Sequence, residues 1–408
     1  MTQAPSAADY DALHPQVLAD PFPAFAHMRT HCPVHFQANA NPPYYTLFRA
    51  EDIRAAALDP ATWSSRYGNM PAYIRSVGVM QDPPLHTEFR HLFAARLAPR
   101  AVDALEGFIT TTANGLIDRM LERDRGDLHD DFACPLPVAV IGHILGVDPA
   151  DAPRFKQWSD DISSAGFGLD DTRFFEVYGE VATFFRGCVA RRREALAAAG
   201  VAAPGEGNLG REITDDVISR LTVATFQGRP LTDHEIEFTL MGLMIGGNET
   251  TTSLITNCMW RLLEVPERWA RVRREPALVE TALEESLRFD PPTLSMWRTT
   301  LCPVQVHGVE IPAKSKVRLA WGSANRDPAL FDHPEEFSLD RPPEQLRRHM
   351  AFGAGAHFCP GAPLSRREAA IALRLFVERL PDIRLAGPHT RIGAFNFWGR
   401  RTLPVAWR

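Results

Sequence analysis

Residues 352–361 of this chain read Phe352-Gly353-Ala354-Gly355-Ala356-His357-Phe358-Cys359-Pro360-Gly361. The three glycines of this stretch allow the backbone to turn sharply and to approach a flat partner closely. Cys359 lies just before a helical pattern, and the amides and dipole at a helix start favour a thiolate over a thiol. The stretch therefore predicts a loop that presents one activated cysteine sulfur.

This loop suits an iron porphyrin better than zinc. A zinc site needs about four protein ligands, whereas a single thiolate is enough to hold a haem iron. The other cysteines are scattered and form no Cys-x-x-Cys pair, a pattern typical of reduced cytoplasmic thiols rather than of a disulfide framework. They are Cys32, Cys134, Cys188, Cys258 and Cys302.

The loop resembles the haem-binding signature of the cytochromes P450, Phe-Gly-x-Gly-x-His/Arg-x-Cys-x-Gly, at every specified position. Residues 364–368, Leu-Ser-Arg-Arg-Glu, are similar to the family's Leu-Ala-Arg-x-Glu, with Ser365 in place of alanine. The resemblance implies haem b as the cofactor and Cys359 as the ligand of its iron. It also implies that Phe352, Gly353 and Gly361 contribute to the haem site.

A long apolar helix is predicted between Thr232 and Pro266. Thr232 and Glu235 have the spacing of a capping box, and Pro266 cannot continue a helix. The intervening length corresponds to about 30 residues, or about 50 Å at 1.5 Å per residue. So long an apolar helix is expected to cross the centre of the protein.

The middle of this helix reads Gly246-Gly247-Asn248-Glu249-Thr250-Thr251. Each glycine costs about 1 kcal/mol inside a helix, so the pair needs a compensating reason. The run resembles the oxygen-binding motif of the P450 family, Ala/Gly-Gly-x-Asp/Glu-Thr-Thr. The resemblance implies that Gly246 and Gly247 make room for dioxygen and that Thr250 and Glu249 are catalytic, supplying protons for O–O cleavage.

Glu285 and Arg288 lie three residues apart on a helix predicted to run from about Pro276 to Phe289, and by themselves they predict only a local ion pair. In this position they resemble the Glu-x-x-Arg pair of the family. Residues 324–341 are similar to the meander that follows this pair. The resemblance implies that Arg341 joins Glu285 and Arg288 in a buried network that supports the cysteine loop.

Four cationic side chains from separated regions are candidates for binding the two haem propionates. His86 and Arg90 share one face of an early helix, and Arg298 stands just before a β-type run. His357 belongs to the cysteine loop itself. Each resembles a propionate-binding position of the family, and arginine suits carboxylates because its donors form a fork.

The fold class expected is mainly α with small β-sheets. The resemblance implies the cytochrome P450 fold, with residues 1–408 as one large domain and residues 1–20 as a loose N-terminal segment. Residues 304–306 and 309–311 flank His307-Gly308 and predict a β-hairpin. Residues 394–398 and 403–407 predict another hairpin.

Composition excludes several classes of protein. The net charge of −6 argues against a general nucleic-acid binder. The N-terminus lacks the features of a secretory signal, and the most apolar stretches are shorter than the roughly 18 residues of a membrane span. A cytoplasmic protein without membrane contact is expected.

Two segments that cap the pocket in the family, around residues 65–80 and 166–186, supply most candidates for a substrate site. Their apolar character predicts a hydrophobic small molecule held mainly by shape. With residues from other regions, the candidate lining consists of Tyr67, Met70, Tyr73, Ile74, Phe167, Phe174, Leu243, Leu294, Met296 and Phe397.

The chain has no Rossmann-type or flavin-binding region, so electrons are expected from a separate ferredoxin-type donor and its NAD(P)H-dependent reductase. The resemblance implies that a set of arginines clusters on the thiolate face, where a basic patch would steer an acidic ferredoxin. The set is Arg90, Arg96, Arg100, Arg347, Arg348 and Arg367.

The leading hypothesis is a haem-thiolate monooxygenase that inserts one oxygen atom of O2 into an apolar metabolite. A peroxide-driven peroxygenase is the alternative within the fold, and the Glu249-Thr250 pair argues against it. A non-catalytic haem sensor or carrier is the alternative from another class, and it has no need of a proton-delivery motif. The sequence leaves the substrate, the type of oxidation, the natural redox partner and the oligomeric state undetermined.

Overall fold

The computed structural model describes residues 10–165, 171–393 and 395–408, most of which are helical. In chain order, the α-helices are α1 (Pro15–Ala19), α2 (Phe22–His31), α3 (Ala50–Leu58), α4 (Leu85–Ala94), α5 (Pro99–Ala104), α6 (Glu106–Leu121), α7 (Pro135–Leu145), α8 (Ala152–Ala165), α9 (Asp171–Ala198), α10 (Val217–Val223), α11 (Asp233–Leu263), α12 (Pro266–Arg274), α13 (Leu278–Phe289), α14 (Trp321–Ala324), α15 (Pro343–Leu346) and α16 (Ala362–Arg379).

The long central helix predicted from the sequence is α11, with 31 residues. Its N-terminus has the predicted capping box, because the Thr232 hydroxyl accepts from the amide of Glu235 and the Glu235 carboxylate accepts from the amide of Thr232. Pro266 begins the next helix instead of extending this one. Helix α11 packs against α7, α9, α13 and α16, so it crosses the core as expected.

The strands are short and form one five-stranded sheet and several smaller ones. They are β1 (Val34–Gln37), β2 (Tyr44–Leu47), β3 (Trp63–Ser64), β4 (Arg125–Asp127), β5 (Thr225–Phe226), β6 (Arg229–Pro230), β7 (Met296–Thr300), β8 (Val304–Val306), β9 (Val309–Ile311), β10 (Lys316–Leu319), β11 (Arg384–Leu385), β12 (Thr390–Arg391), β13 (Arg400–Thr402) and β14 (Pro404–Ala406). The largest sheet has the order β1-β2-β10-β7-β3.

One of the two predicted hairpins forms. Strands β8 and β9 pair antiparallel around His307 and Gly308, whose φ angles of 49° and 79° are those of a tight hairpin turn. The second prediction is wrong. Strand β14 pairs with β4 and β11, Phe397 forms an isolated bridge with Thr293, and residue 394 lies outside the described residues.

Two apolar cores support the elements around the cysteine loop. The larger one joins α11 to α6, α7, α9, α13 and α16, and the smaller one lies under the five-stranded sheet. Within the segment expected to be loose, residues 10–20 include α1 and the buried side chains of Tyr10 and Val17, which pack into the smaller core. Among the described residues, every helix is too short or too polar to span a lipid bilayer.

Candidate functional site

The cysteine loop has the tight backbone that its glycines predict. Gly353 and Gly355 both have φ of +72°, a conformation that favours glycine. The amide of Cys359 donates to the carbonyl of Phe352 at 3.0 Å, and a short 3-10 helix, Gly355–His357, forms the tip between them. The loop therefore fixes the cysteine relative to Phe352.

The sulfur of Cys359 sits at the start of α16. Burial raises the pKa of its thiol, whereas hydrogen bonds from the amides of Gly361 and Ala362 and the charge of Arg90 act in the opposite direction. A Cβ atom on Gly361 would lie 3.8 Å from this sulfur, so the backbone approaches it closely. By contrast, burial raises the pKa of Cys134 to about 12, and no backbone amide opposes this shift. Cys359 thus has the amide surroundings of a metal-binding thiolate.

Glu285, Arg288 and Arg341 meet in one buried network. Both oxygens of Glu285 accept from Arg288 at 2.8 Å, and Oε2 also accepts from Nε of Arg341 at 2.8 Å. The amide of Ser338 donates to Oε1 at 2.9 Å. One buried carboxylate therefore balances two buried guanidinium groups, and it needs all of these donors to be stable away from water.

The network reaches the cysteine loop through Asn325, which sequence analysis did not single out. Arg288 donates to the carbonyl of Asn325 at 3.1 Å. The side-chain oxygen of Asn325 in turn accepts from the amide of Met350 at 2.6 Å. The carbonyl of Met350 accepts from the amide of Gly353 at 2.9 Å. This chain of contacts supports the start of the loop.

His86, His357, Arg90 and Arg298 form one cluster of basic side chains. The rings of His86 and His357 lie 4.3 Å apart. Burial and the neighbouring positive charges lower the pKa of His86 to about 4 and that of His357 to about 3. Burial lowers the pKa of Arg298 to about 10. Each of these groups would therefore be stabilised in its charged form by a nearby anion.

The four side chains differ in what they already contact. Arg90 donates to the carbonyls of Ala356 and Phe358 at 3.0 and 2.6 Å, so it braces the cysteine loop from α4. Both ring nitrogens of His86 and Nε2 of His357 are buried without a hydrogen-bond partner among the described residues. Buried polar atoms of this kind are normally paired, and this cluster is therefore suited to binding an anionic group.

The accessible face of α11 carries Gly246 and Thr250. Gly246 is exposed although it lies in mid-helix, and a Cβ atom on it would meet no described atom within 4 Å. Thr250 is partly exposed, and its hydroxyl donates to the carbonyl of Gly246 at 2.7 Å. Gly247 differs from the prediction, because a Cβ atom there would lie 3.0 Å from Ile141 of α7. Its small size serves helix packing rather than the accessible face.

Glu249 is buried on α11, and its Oε1 accepts from the hydroxyl of Ser253 at 3.2 Å. The next residues tie this helix to the one that follows the cysteine loop. The hydroxyls of Thr251 and Ser365 are 3.1 Å apart and buried. Thr250 lies on α11 and Cys359 lies three residues before the start of α16, and these two helices are in direct contact.

The predicted pocket residues divide into several groups. Met70 and Phe174 are buried, and Ile74 and Leu243 are partly buried, all in the larger core. Tyr67 is partly buried, and Tyr73 is half exposed. Met296 is partly buried on β7, and Phe397 is buried against Ile392. Phe167 lies outside the described residues.

Leu294 is buried in the smaller core, where a Cβ atom on Gly322 would come within 2.8 Å of it, beside Phe25. Its place in a substrate pocket stays a prediction.

The predicted basic patch on the thiolate face is smaller than expected. Arg90 turns toward the cysteine loop, Arg96 pairs with Asp215, and Arg367 pairs with Asp103 and Glu106. The exposed arginines of the set that form no ion pair with a described residue are Arg100, Arg347 and Arg348.

The donor set fits haem, the group that the resemblance implies. Cys359 offers a thiolate for the iron, and the unpaired buried nitrogens of His86 and His357, together with Arg298, suit two carboxylates. Gly246 adds an accessible stretch of α11 that carries no side chain.

Comparisons with known proteins agree with this geometry. Residues 164–381 match the sequence model of the family described as Cytochrome P450. The chain is 31% identical to "Cytochrome P450 monooxygenase PikC" of Streptomyces venezuelae over 100% of this chain and 96% of that one. It is 34% identical to "Cyclomarin C epoxidase CymV" of Salinispora arenicola over 93% and 94% of the two chains.

A solved structure also matches over nearly the full length. CYP109E1 from Bacillus megaterium, in complex with testosterone, superposes with a TM-score of 0.85 and 29% sequence identity. The match covers 96% of this chain and 99% of that chain.

Proposed function

Because this chain belongs to the cytochrome P450 family and is a monooxygenase, we propose that it inserts one atom of O2 into an apolar small molecule. The observation that supports this proposal is the contact between α11 and α16, which brings the segment around Thr250 close to the helix that follows Cys359. The electrons would come from NAD(P)H through a separate reductase and ferredoxin.

Haem would be held by Cys359 through its iron and by His86, His357, Arg90 and Arg298 through its carboxylates. Bound there, it supplies the redox chemistry that activates dioxygen. The amides of Gly361 and Ala362 temper the charge on the cysteine sulfur. Arg90 serves twice, because it also holds the carbonyls at the tip of the cysteine loop.

Thr250 and Glu249 are proposed to handle protons. The Thr250 hydroxyl donates to the carbonyl of Gly246, so its oxygen can accept a hydrogen bond at the accessible face of α11, and the hydroxyl would have to turn away from Gly246 to pass its own proton on. The buried carboxyl of Glu249 would replenish the proton that Thr250 passes on. Its bond with Ser253 would have to open for this transfer.

Replacing Thr250 with alanine is expected to separate electron use from product formation. Product formed per NAD(P)H should fall by about 10-fold or more, with hydrogen peroxide appearing instead, since a general acid contributes about 10²–10⁴-fold. The measurement is parallel assay of NAD(P)H, product and peroxide in a reconstituted system.

Thr239 provides the matched control for this variant. Its hydroxyl also donates to the carbonyl four residues earlier on α11, here that of Glu235 at 2.7 Å. Thr239→Ala should leave coupling unchanged, and Thr250→Ser should restore much of it. Unchanged coupling in Thr250→Ala would remove the proposed role of Thr250.

The exposed arginines Arg100, Arg347 and Arg348 support a proposal for the electron donor. We infer that an acidic ferredoxin docks on this face, since unpaired surface charge of one sign accelerates encounter with a partner of opposite charge. The apolar character of Met70, Ile74 and Leu243 supports an apolar substrate on the opposite side of the haem site.

The variant Arg347→Glu/Arg348→Glu is expected to slow reduction by an acidic ferredoxin by about 10-fold at low ionic strength. The effect should fade as salt approaches about 1 M, where the screening length is about 3 Å. Stopped-flow reduction under CO measures the rate. Arg211→Glu, which changes an exposed arginine between α9 and α10, is the control, and equal rates in both variants would contradict docking at Arg347 and Arg348.

A further inference from the structure

Residues 65–77 form a loop without helix or strand, beside the pocket residues of α11 and β7. Met70 is buried and Ile74 partly buried in the core that includes Leu243. The side-chain amide of Asn69 donates toward the sulfur of Met296, at 3.9 Å. The loop therefore covers the apolar region where a substrate is proposed to bind.

The loop folds back on itself through a few backbone bonds. The amide of Ile74 donates to the carbonyl of Tyr67, and the amide of Ser76 donates to the carbonyl of Arg66, both at 3.1 Å. Gly68, with φ of +93°, makes the turn possible between these arms. With the bond from the amide of Gly68 to the carbonyl of Ser65, the loop has three such bonds, which are a weak framework for its length, so contacts with its surroundings must fix its position.

Lys316 supplies the strongest of those contacts. It is the first residue of β10 and has 0% exposure. Its ammonium donates to the carbonyls of Tyr67 and Gly68 at 2.7 and 3.2 Å. No described carboxylate lies within ion-pair distance, and burial lowers its pKa to about 8, which leaves it protonated at neutral pH. Burying a cation whose hydrogen-bond partners are carbonyls costs free energy. Moving the loop away would deprive the ammonium of these partners.

Tyr73 adds a second contact from the other arm of the loop. Its hydroxyl donates to the carbonyl of Lys314 at 2.5 Å, and its ring lies 5.0 Å from the Lys316 ammonium. The ring thus makes a cation–π contact with the ammonium, in addition to the two carbonyls that the ammonium binds. Tyr73 is nevertheless 50% exposed, so it acts on the loop from the solvent side rather than as a core residue.

We propose that Lys316 and Tyr73 are positioning residues that hold the 65–77 loop closed over the apolar pocket and thereby set how fast ligands enter and leave. Both arms of the loop bind to one short segment, residues 314–316, so the loop opens only when both contacts break. The proposal rests on the proposed function, because it takes this pocket to be the substrate site.

The test uses the haem-loaded protein and 4-phenylimidazole, an azole that binds haem iron, as the probe. Association and dissociation rates are measured by stopped flow in the wild type, Tyr73→Ala, Tyr73→Phe and Lys316→Met. Both rates are expected to rise by about 10-fold in Tyr73→Ala, which loses one hydrogen bond, and by at least that factor in Lys316→Met, which loses the two hydrogen bonds of the ammonium. Tyr73→Phe, which keeps the ring over the ammonium, should fall between these variants and the wild type.

Hydrogen exchange separates a local effect on the loop from general destabilisation. The amides of Ile74 and Ser76 should exchange about 10-fold faster in Tyr73→Ala, while the amides of β1 and β2 stay as in the wild type. The half-exposed position of Tyr73 makes this variant informative even if Lys316→Met fails to fold. Phe36→Ala, which removes another exposed aromatic ring (47% exposed, on β1), is the control and should change neither readout.

Unchanged ligand rates and unchanged exchange in Tyr73→Ala would overturn the proposal. Faster exchange in every strand, rather than in the loop alone, would show general destabilisation only and would overturn it too. Failure of the proposed function would give a different result. The wild-type protein would then lack the spectrum of a thiolate-ligated haem, but hydrogen exchange would still report the opening of the loop.

Discussion

Replacing Cys359 with serine is expected to abolish turnover and the CO-difference band of a thiolate-ligated haem. The hydroxyl of serine neither ionises near neutral pH nor donates electron density as a thiolate does. Removing a residue that only orients a metal ligand costs about 10–100-fold, so removing the ligand itself should cost more than that. The measurements are haem content, the reduced CO spectrum and product formation.

Cys302→Ser is the matched control, because Cys302 is exposed and lies outside the haem site. It should keep the haem content, spectrum and turnover of the wild type. A Cys359→Ser protein that retained the wild-type spectrum would mean that another residue holds the iron.

Replacing Glu285 with glutamine is expected to lower the free energy of unfolding by about 3–5 kcal/mol, the usual cost of breaking a buried ion pair from one side. The change leaves Arg288 and Arg341 buried without their shared negative charge. Because the same network supports Asn325 and Met350, haem incorporation should fall as well. Denaturant titration measures the first effect, and haem content per protein measures the second.

The neighbouring ion pair between Arg271 and Asp340 tests whether burial is the cause. Its atoms are 2.6 Å apart, but Asp340 is 70% exposed. Asp340→Asn should therefore cost no more than about 1 kcal/mol. Comparable losses in Asp340→Asn and Glu285→Gln would contradict the role assigned to the buried network.

Local sequence patterns predicted much of the structure. The capping box and Pro266 fixed the ends of α11, and the glycines of residues 352–361 indicated the turn that presents Cys359. These features depend on residues close in sequence, so propensity and spacing are informative about them. The mainly helical fold of the P450 family, inferred from the motifs, is confirmed. The extent of the domain over residues 1–408 stays a prediction.

Features that depend on distant contacts were harder to predict. Strand β14 pairs with β4, which lies far earlier in the chain, so alternation alone could not identify its partner. A lysine in a short strand is expected at the surface, but Lys316 is buried because the 65–77 loop folds over it. Gly247 lies beside Gly246 but packs against α7, since adjacent helical residues point about 100° apart.

The reduced, CO-bound spectrum of the purified wild-type protein tests the central claim most directly. If Cys359 holds a haem iron as a thiolate, the Soret band lies at about 450 nm, the position that gives the family its name. A band at about 420 nm instead, from protein that retains its haem and its fold, would contradict thiolate ligation by Cys359.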